Sequence, residues 1–161
     1  MDATQRAELL ALYSEVDAEI AAEGPRCDVS GRCCRFSEYG HTLFLSAVEA
    51  EVLFEEAAQP EGAECPYQIA GRCTARERRP LGCRVYFCDP SYAERMPEIS
   101  ESAVRRLKHL HDRWGRPWDY RPLARFLNDP VHAAVHSARR SNVLPILAQS
   151  MGQLDSSRCG E

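Results

Sequence analysis

Seven cysteines crowd into one stretch: Cys27, Cys33, Cys34, Cys65, Cys73, Cys83 and Cys88, while the eighth, Cys159, stands alone near the C-terminus. This crowding constrains the chain more than any other feature. Thiolates are soft ligands, and four of them fixed in space suit zinc or an iron–sulfur cluster. The rival use of dense cysteine is a disulfide framework, which belongs to small secreted domains. At 161 residues the chain fits one domain and can bury a core without disulfides. Its first twenty residues lack the basic segment and unbroken apolar run of a secretory signal. No apolar run approaches the ~20 residues that cross a bilayer. The expectation is a cytoplasmic protein, away from membranes, whose cysteines bind metal or do redox chemistry.

Charge is unevenly spread. Residues 1–62 hold 13 acidic and 4 basic groups, and the remainder 11 acidic and 16 basic. A basic half can attract nucleic acid, but the chain shows no nucleic-acid module and no basic stripe interleaved with aromatics. Nucleic acid is therefore set aside, and a protein is the candidate partner. Arg72, Arg76, Arg78, Arg79 and Arg84 surround cysteines, where they would offset a buried bundle of thiolates.

Periodicity predicts a helix over 4–23, with Leu9, Tyr13, Val16 and Ile20 on one face and Gly24-Pro25 as its stop. A cysteine loop follows, then an extended segment at His41–Leu45. Ser46-Ala47-Val48-Glu49 is a capping box opening a helix to about Ala58. Residues 63–90 lack helical periodicity; Tyr67-Gln68-Ile69 and Cys73-Thr74 flank Ala70-Gly71-Arg72 as a small hairpin. A helix returns over 98–114, marked by Ile99, Val104, Leu107, Leu110 and Trp114. Pro117 and Pro122 mark a linker, Leu123–Asn128 a short helical turn, and Asp129-Pro130 the start of a helix to about Arg140. The fold expected is mainly α: one small domain, residues 1–153, of helices around an irregular cysteine-rich core at about 26–90. One short hairpin and a flexible tail at 154–161 complete it.

The cysteines form two blocks, Cys27-x5-Cys33-Cys34 and Cys65-x7-Cys73-x9-Cys83-x4-Cys88. Glycine-containing loops let neighbouring sulfurs curl toward one ion. Adjacent Cys33 and Cys34 do not easily chelate one small ion together, so such a pair serves two sites or one ligand and one structural thiol. The spacings match neither a zinc-finger Cys-x2-Cys nor the bacterial ferredoxin run. Spacing leaves zinc and an iron–sulfur centre both open.

These blocks resemble the YkgJ-like cysteine-cluster family, a zinc- or iron-chelating domain. That family carries a Cys-x2-Cys-x2-Cys-Cys signature and a second group of four cysteines with an Arg-Pro and a Cys-Arg. Here the first reads Cys27-x2-Ser30-x2-Cys33-Cys34. The second reads Cys65-Pro66-Tyr67, Gly71-Arg72-Cys73, Arg79-Pro80-Leu81-Gly82-Cys83-Arg84 and Cys88. The likeness covers about residues 26–90. It implies a metal-binding protein with Cys65, Cys73, Cys83 and Cys88 as main ligands, and Cys27, Cys33 and Cys34 completing that site or forming a second. Ser30 departs from the family, and serine is a poor ligand for a soft metal. One site is then lost, or Cys159 substitutes, or a coordination position stays open as catalytic metals require. The flagellin lysine methylase group shares a similar signature in a longer protein, but this chain lacks the rest.

Function divides three ways: a structural or metal-handling centre, a redox or protein-modifying iron–sulfur enzyme, or a partner-binding module with structural metal. No catalytic residue is assigned; a nucleophilic cysteine enzyme needs a base and an orienting group around one activated thiolate. His41, near the first cysteine loop, is the best non-cysteine ligand. His132 and His136 share a helix face, and His109 and His111 read as surface. Arg79 and Arg84 are candidates for bonds to sulfur or to an anion. Glu49, Glu51, Glu55 and Glu56 read as a solvated helix face. Tyr67, Tyr86, Phe87, Trp114 and Trp118 read as core packed around the loops.

Overall fold

A computed structural model describes residues 1–55 and 64–129. Helix α1 spans Ala3–Glu23. Asp2 caps its N-terminus through the Gln5 amide at 2.8 Å, and Gly24 ends it in the left-handed conformation at φ 66°. Strand β1 (Phe44–Ser46) runs directly into α2 (Ala47–Leu53). Strands β2 (Gln68–Ile69) and β3 (Arg72–Cys73) form the expected hairpin. Its two-residue turn places both Ala70 (φ 49°) and Gly71 (φ 77°) at positive φ, as a tight hairpin of matching twist needs. Helix α3 (Leu81–Val85), α4 (Arg95–Arg113), β4 (Tyr120–Pro122) and α5 (Leu123–Leu127) follow. The fold is thus mainly α, with two small two-stranded sheets among the described residues.

Three elements differ from the sequence expectation. Helix α3 lies where periodicity showed none, because five residues are too few to display a period. The Pro117–Pro122 linker contains β4, which pairs antiparallel with β1 in the register Leu45↔Arg121. Its proline sits at the strand end, where the missing amide costs nothing. Helix α2 closes at Phe54, short of Ala58. The expected helix at 130–140, its His132 and His136, the tail and Cys159 lie outside the described residues. Among the described residues no helix is long and apolar enough to cross a membrane.

Two apolar cores share α2. One face of that helix sends Val48 and Val52 into a core built with Leu9, Tyr13 and Val16 of α1, Leu81 and Val85 of α3, and Ile99, Ala103 and Leu107 of α4. The other face sends Ala50 and Leu53 into a second core with Leu45, Tyr67, Leu123, Phe126, Cys34 and Cys65. Each fully buried Leu or Val contributes about 1.5–3 kcal/mol. The acidic face of α1 meets the basic face of α4: Arg106 pairs with Glu15 and Glu19, Arg113 with Glu8, and Arg95 with Glu23. Part of the charge opposition between the two halves is thus matched across these helices. Such exposed pairs are each worth about 0–1 kcal/mol and orient the helices more than they stabilise them.

Two residues read as surface are buried. Glu49, 1% exposed, leaves the solvated face expected of it. Its Oε2 accepts from the Ser46 amide at 2.8 Å, closing the capping box, and its Oε1 accepts from the Leu81 amide at 2.7 Å. One carboxylate thus caps both α2 and α3. His111, 0% exposed, continues the stripe Ile99–Ala103–Leu107 at four-residue spacing. Its Nδ1 lies 3.2 Å from the Pro117 carbonyl, so Nδ1 carries the proton and buried Nε2 has no partner. Trp114 and Trp118 gather around this imidazole, not around the cysteine loops.

Replacing Glu49 by Gln sets an amide NH2 against one of two backbone N–H groups. Denaturant titration is expected to show a loss of about 2–4 kcal/mol, against about 1 kcal/mol or less for Glu51→Gln on the half-exposed face. Burial holds the His111 pKa below its ordinary 6.5. Protonation is therefore harder folded than unfolded. The stability it contributes is full above about 6.5 and is lost as pH falls through the lower folded value. Arg116 opposes the charge and Asp112 favours it. Unfolding free energies between about pH 7 and 5 should decline in the wild type, and that decline should flatten in His111→Gln.

Candidate metal centre

The first cysteine loop is a short 3-10 turn, Arg32–Cys34, entered through Gly31 at φ 71°. It docks on the β2–β3 hairpin: Gln68 Nε2 donates to the Gly31 carbonyl at 2.8 Å. Gly31 is needed twice over. Its φ is left-handed, and a Cβ there would lie 2.4 Å from Gln68 Nε2 and 2.8 Å from the Gly71 carbonyl oxygen. Val29, β-branched and 58% exposed, also takes a left-handed φ of 52° in this loop. The hairpin brings Cys73 opposite Gln68, three residues beyond Cys65. Helix α3 carries Cys83, and its first amide is held by Glu49.

These placements bring five of the seven candidate ligands together. Cys33, Cys34, Cys65, Cys73 and Cys83 line one enclosed cavity of about 30 Å³, walled otherwise by Leu43, Leu53, Tyr67, Pro80, Leu123 and Arg79. Cys34 and Cys65 are buried, and Cys33, Cys73 and Cys83 half-buried. The Cys33 and Cys34 sulfurs are 3.9 Å apart. The other two, Cys27 and Cys88, are exposed. They sit with Ser30 in an outer pocket of about 510 Å³ that shares Cys33, Cys34, Cys73 and Arg79 with the inner wall. All seven described cysteines are free thiols.

The inner thiols are electrostatically divided. The single S–H of Cys34 can be given to Cys33, 3.9 Å away, or toward Cys65. Accepting it lowers the Cys33 pKa to about 6, with Arg79 and His41 acting in the same direction, and lowers Cys65 as well. Cys34 is driven up in return by the same bonding and by burial. Desolvation raises Cys73 and raises Cys83 well above its ordinary value, while Arg79 pulls both down. Five sulfurs in one apolar pocket cannot all ionise without a cation among them.

The flanking candidates resolve clearly. Arg84 touches no sulfur: it is buried, pairs with Asp17, donates to the carbonyls of Arg79 at 2.8 Å and Glu77 at 2.6 Å, and lies 4.3 Å over the Tyr13 ring. It braces the second cysteine block onto α1. Arg79 donates from Nε to the Arg76 carbonyl at 3.2 Å and keeps its charge near the thiols. His41 Nε2 lies 3.3 Å from the Cys33 carbonyl, its ring stacks on Tyr86 at 4.5 Å, and its buried Nδ1 has no partner. The sequence did not show how Glu49 and Arg84 position the block, because each also binds a group far along the chain: the Leu81 amide for Glu49 and the Asp17 carboxylate for Arg84.

By donor chemistry the inner set fits zinc or an iron–sulfur centre: up to five thiolates, a cation beside them and an apolar shell. By geometry it is looser. Among the described residues, no three His, Cys, Asp or Glu side chains stand as a ready coordination sphere for one ion. A bound cation would draw the sulfurs inward by side-chain rotation. Gly31→Ala is expected to cost about 2 kcal/mol or more by denaturant titration, since it combines left-handed strain with a backbone clash. Gly40→Ala, at φ 65° in open space, should cost only the strain of about 1–2 kcal/mol.

Comparison with protein-family models, with curated proteins and with solved structures gives no match, and the chemistry of the cysteine core stands on its own residues.

Proposed function

We propose that this chain is a metal-binding cysteine-cluster protein, holding zinc or an iron–sulfur centre through thiolates and serving a structural or metal-handling role. One observation carries the reading: three separate segments, at 33–34, 65–73 and 83, converge so that five cysteines line a single cavity. Chance burial of small apolar thiols would scatter them through both cores. The resemblance of both blocks to the YkgJ-like family supports the same reading. Cys33, Cys34, Cys65, Cys73 and Cys83 would hold the centre, with Cys27 and Cys88 on the outer side. When bound, the cation supplies charge that lets several of these thiols ionise together. The enclosed volume suits one ion, whereas a four-iron cluster needs the walls to part.

A redox or protein-modifying reading is favoured by one further feature. An apolar groove of about 310 Å³, lined by Cys33, Cys83, His41, Phe44, Tyr86 and Tyr120 among others, opens beside the core. A reactant could approach the centre there.

Metal analysis by mass spectrometry on protein purified without air tests the proposal. About four irons per chain would indicate a cluster, and about one or two zinc ions a structural or metal-handling site. Cys83→Ser is expected to lose most of the metal and to lower the melting temperature by roughly 5 °C or more, because metal affinity is folding energy in such sites. Absence of metal in the wild type, or full occupancy and unchanged melting in Cys83→Ser, would remove the proposal.

A further inference from the structure

We propose that the outer pocket binds a small oxyanion carrying two or more negative charges, through phosphate or paired carboxylates, as a function separate from the inner thiols. The described arginines differ in whether an acid answers them. Arg95, Arg106 and Arg113 of α4 are matched to acids on α1, Arg105 to Glu101 of its own helix, Arg84 to Asp17, and Arg116 to Glu51. Five others line the outer pocket: Arg26, Arg32, Arg72, Arg76 and Arg79. Arg26 is answered by Asp28 at 3.0 Å. The remaining four form no ion pair among the described residues, and Asp28 is the sole carboxylate in the pocket wall.

Offsetting the inner thiolates does not consume this charge. Four thiolates on one divalent ion leave about two negative charges, fewer than the four unmatched guanidiniums. Of these, Arg79 alone also lines the inner cavity. Arg32, Arg72 and Arg76 are exposed and line only the outer pocket. Guanidinium forks match phosphate and carboxylate geometry. At about 510 Å³ the concavity falls within the ~300–1,000 Å³ range of small-molecule sites. Tyr86 and Phe87 add an apolar wall for a ligand's carbon body. Concavity favours a small molecule over a flat macromolecular patch.

Isothermal titration of the full chain with pyrophosphate and, separately, with citrate tests this, with metal content measured on the same sample. One-to-one saturable binding is expected, weakening as salt rises. Binding by pyrophosphate alone assigns a phosphate ligand, and by citrate alone a carboxylate one. Arg72→Gln/Arg76→Gln should weaken binding tenfold or more, with metal content and melting temperature unchanged. Arg105→Gln, which alters an exposed α4 arginine, should bind as the wild type. No saturable binding by either probe, full binding in the double variant, or equal weakening in Arg105→Gln would overturn the proposal. Loss of metal in the double variant would overturn it too, because the arginines would then serve the thiolates. Anion binding by a sample that holds no metal would remove the metal reading and leave this one standing.

Discussion

The carboxylate of Glu49 is the point on which the cysteine-bearing half of the molecule hangs. It is fully buried, and each oxygen accepts a backbone amide, one from α2 and one from α3. A buried charge without partners costs several kcal/mol, so the charge is tolerable only while both helix N-termini stay in place. Their partial positive charge favours it there. The constraint runs both ways: α2 fixes Glu49, Glu49 fixes Leu81, and Leu81 fixes the helix that carries Cys83. Arg84, next along that helix, repeats the device with opposite sign, donating to two carbonyls of its own loop and to Asp17 of α1. The second cysteine block has little regular structure, yet two buried charges hold its end.

That anchoring explains why the thiols lie where they do. The second core contains Cys34 and Cys65 among Leu45, Tyr67, Leu123 and Phe126, with Cys33, Cys73 and Cys83 packed against it. In such surroundings a thiol packs like a small hydrophobe, but a thiolate is penalised by desolvation. Ionising several of them together therefore poses an electrostatic problem that packing alone does not solve. Partial relief comes from hydrogen bonds among Cys33, Cys34 and Cys65 and from the Arg79 charge. On the proposed reading a cation supplies the rest, and the apolar shell then strengthens every sulfur–metal attraction by excluding water.

Much of the scaffold was legible in the residues. The period of Leu9, Tyr13, Val16 and Ile20 marked α1, and Ser46 with Glu49 marked the start of α2. Gly71 with its neighbours marked the hairpin. Each is local, encoded within a few residues of where it acts. What stayed hidden is non-local. Strand β4 exists because β1 offers it a partner far back in the chain. His111 reads as polar, yet Pro117 and two tryptophans make its burial tolerable. Glu49 announced a capping box but not the second amide it holds, since Leu81 lies 32 positions away. The clustering of cysteines in sequence pointed to clustering in space. It did not show that five would turn inward and two outward.

Ser30 acquires a different weight from this division. As a departure from the Cys-x2-Cys-x2-Cys-Cys signature it raised the prospect of an incomplete centre. In the fold Ser30 stands on the outer pocket beside Cys27 and Cys88, and its hydroxyl lies 3.5 Å from the Arg32 amide, away from the enclosed cavity. On the metal reading, the missing sulfur is subtracted from the outer group alone. The inner cavity still offers five thiols to a centre that needs four. A soft-metal site on the outside would have only Cys27 and Cys88 as sulfurs of its own, and would have to draw Cys33, Cys34 or Cys73 away from the inner wall. The same surface holds the unmatched arginines. A hydroxyl at position 30 offers neither a soft ligand nor a group that ionises near neutral pH, which leaves the pocket better suited to an anion than to a second metal.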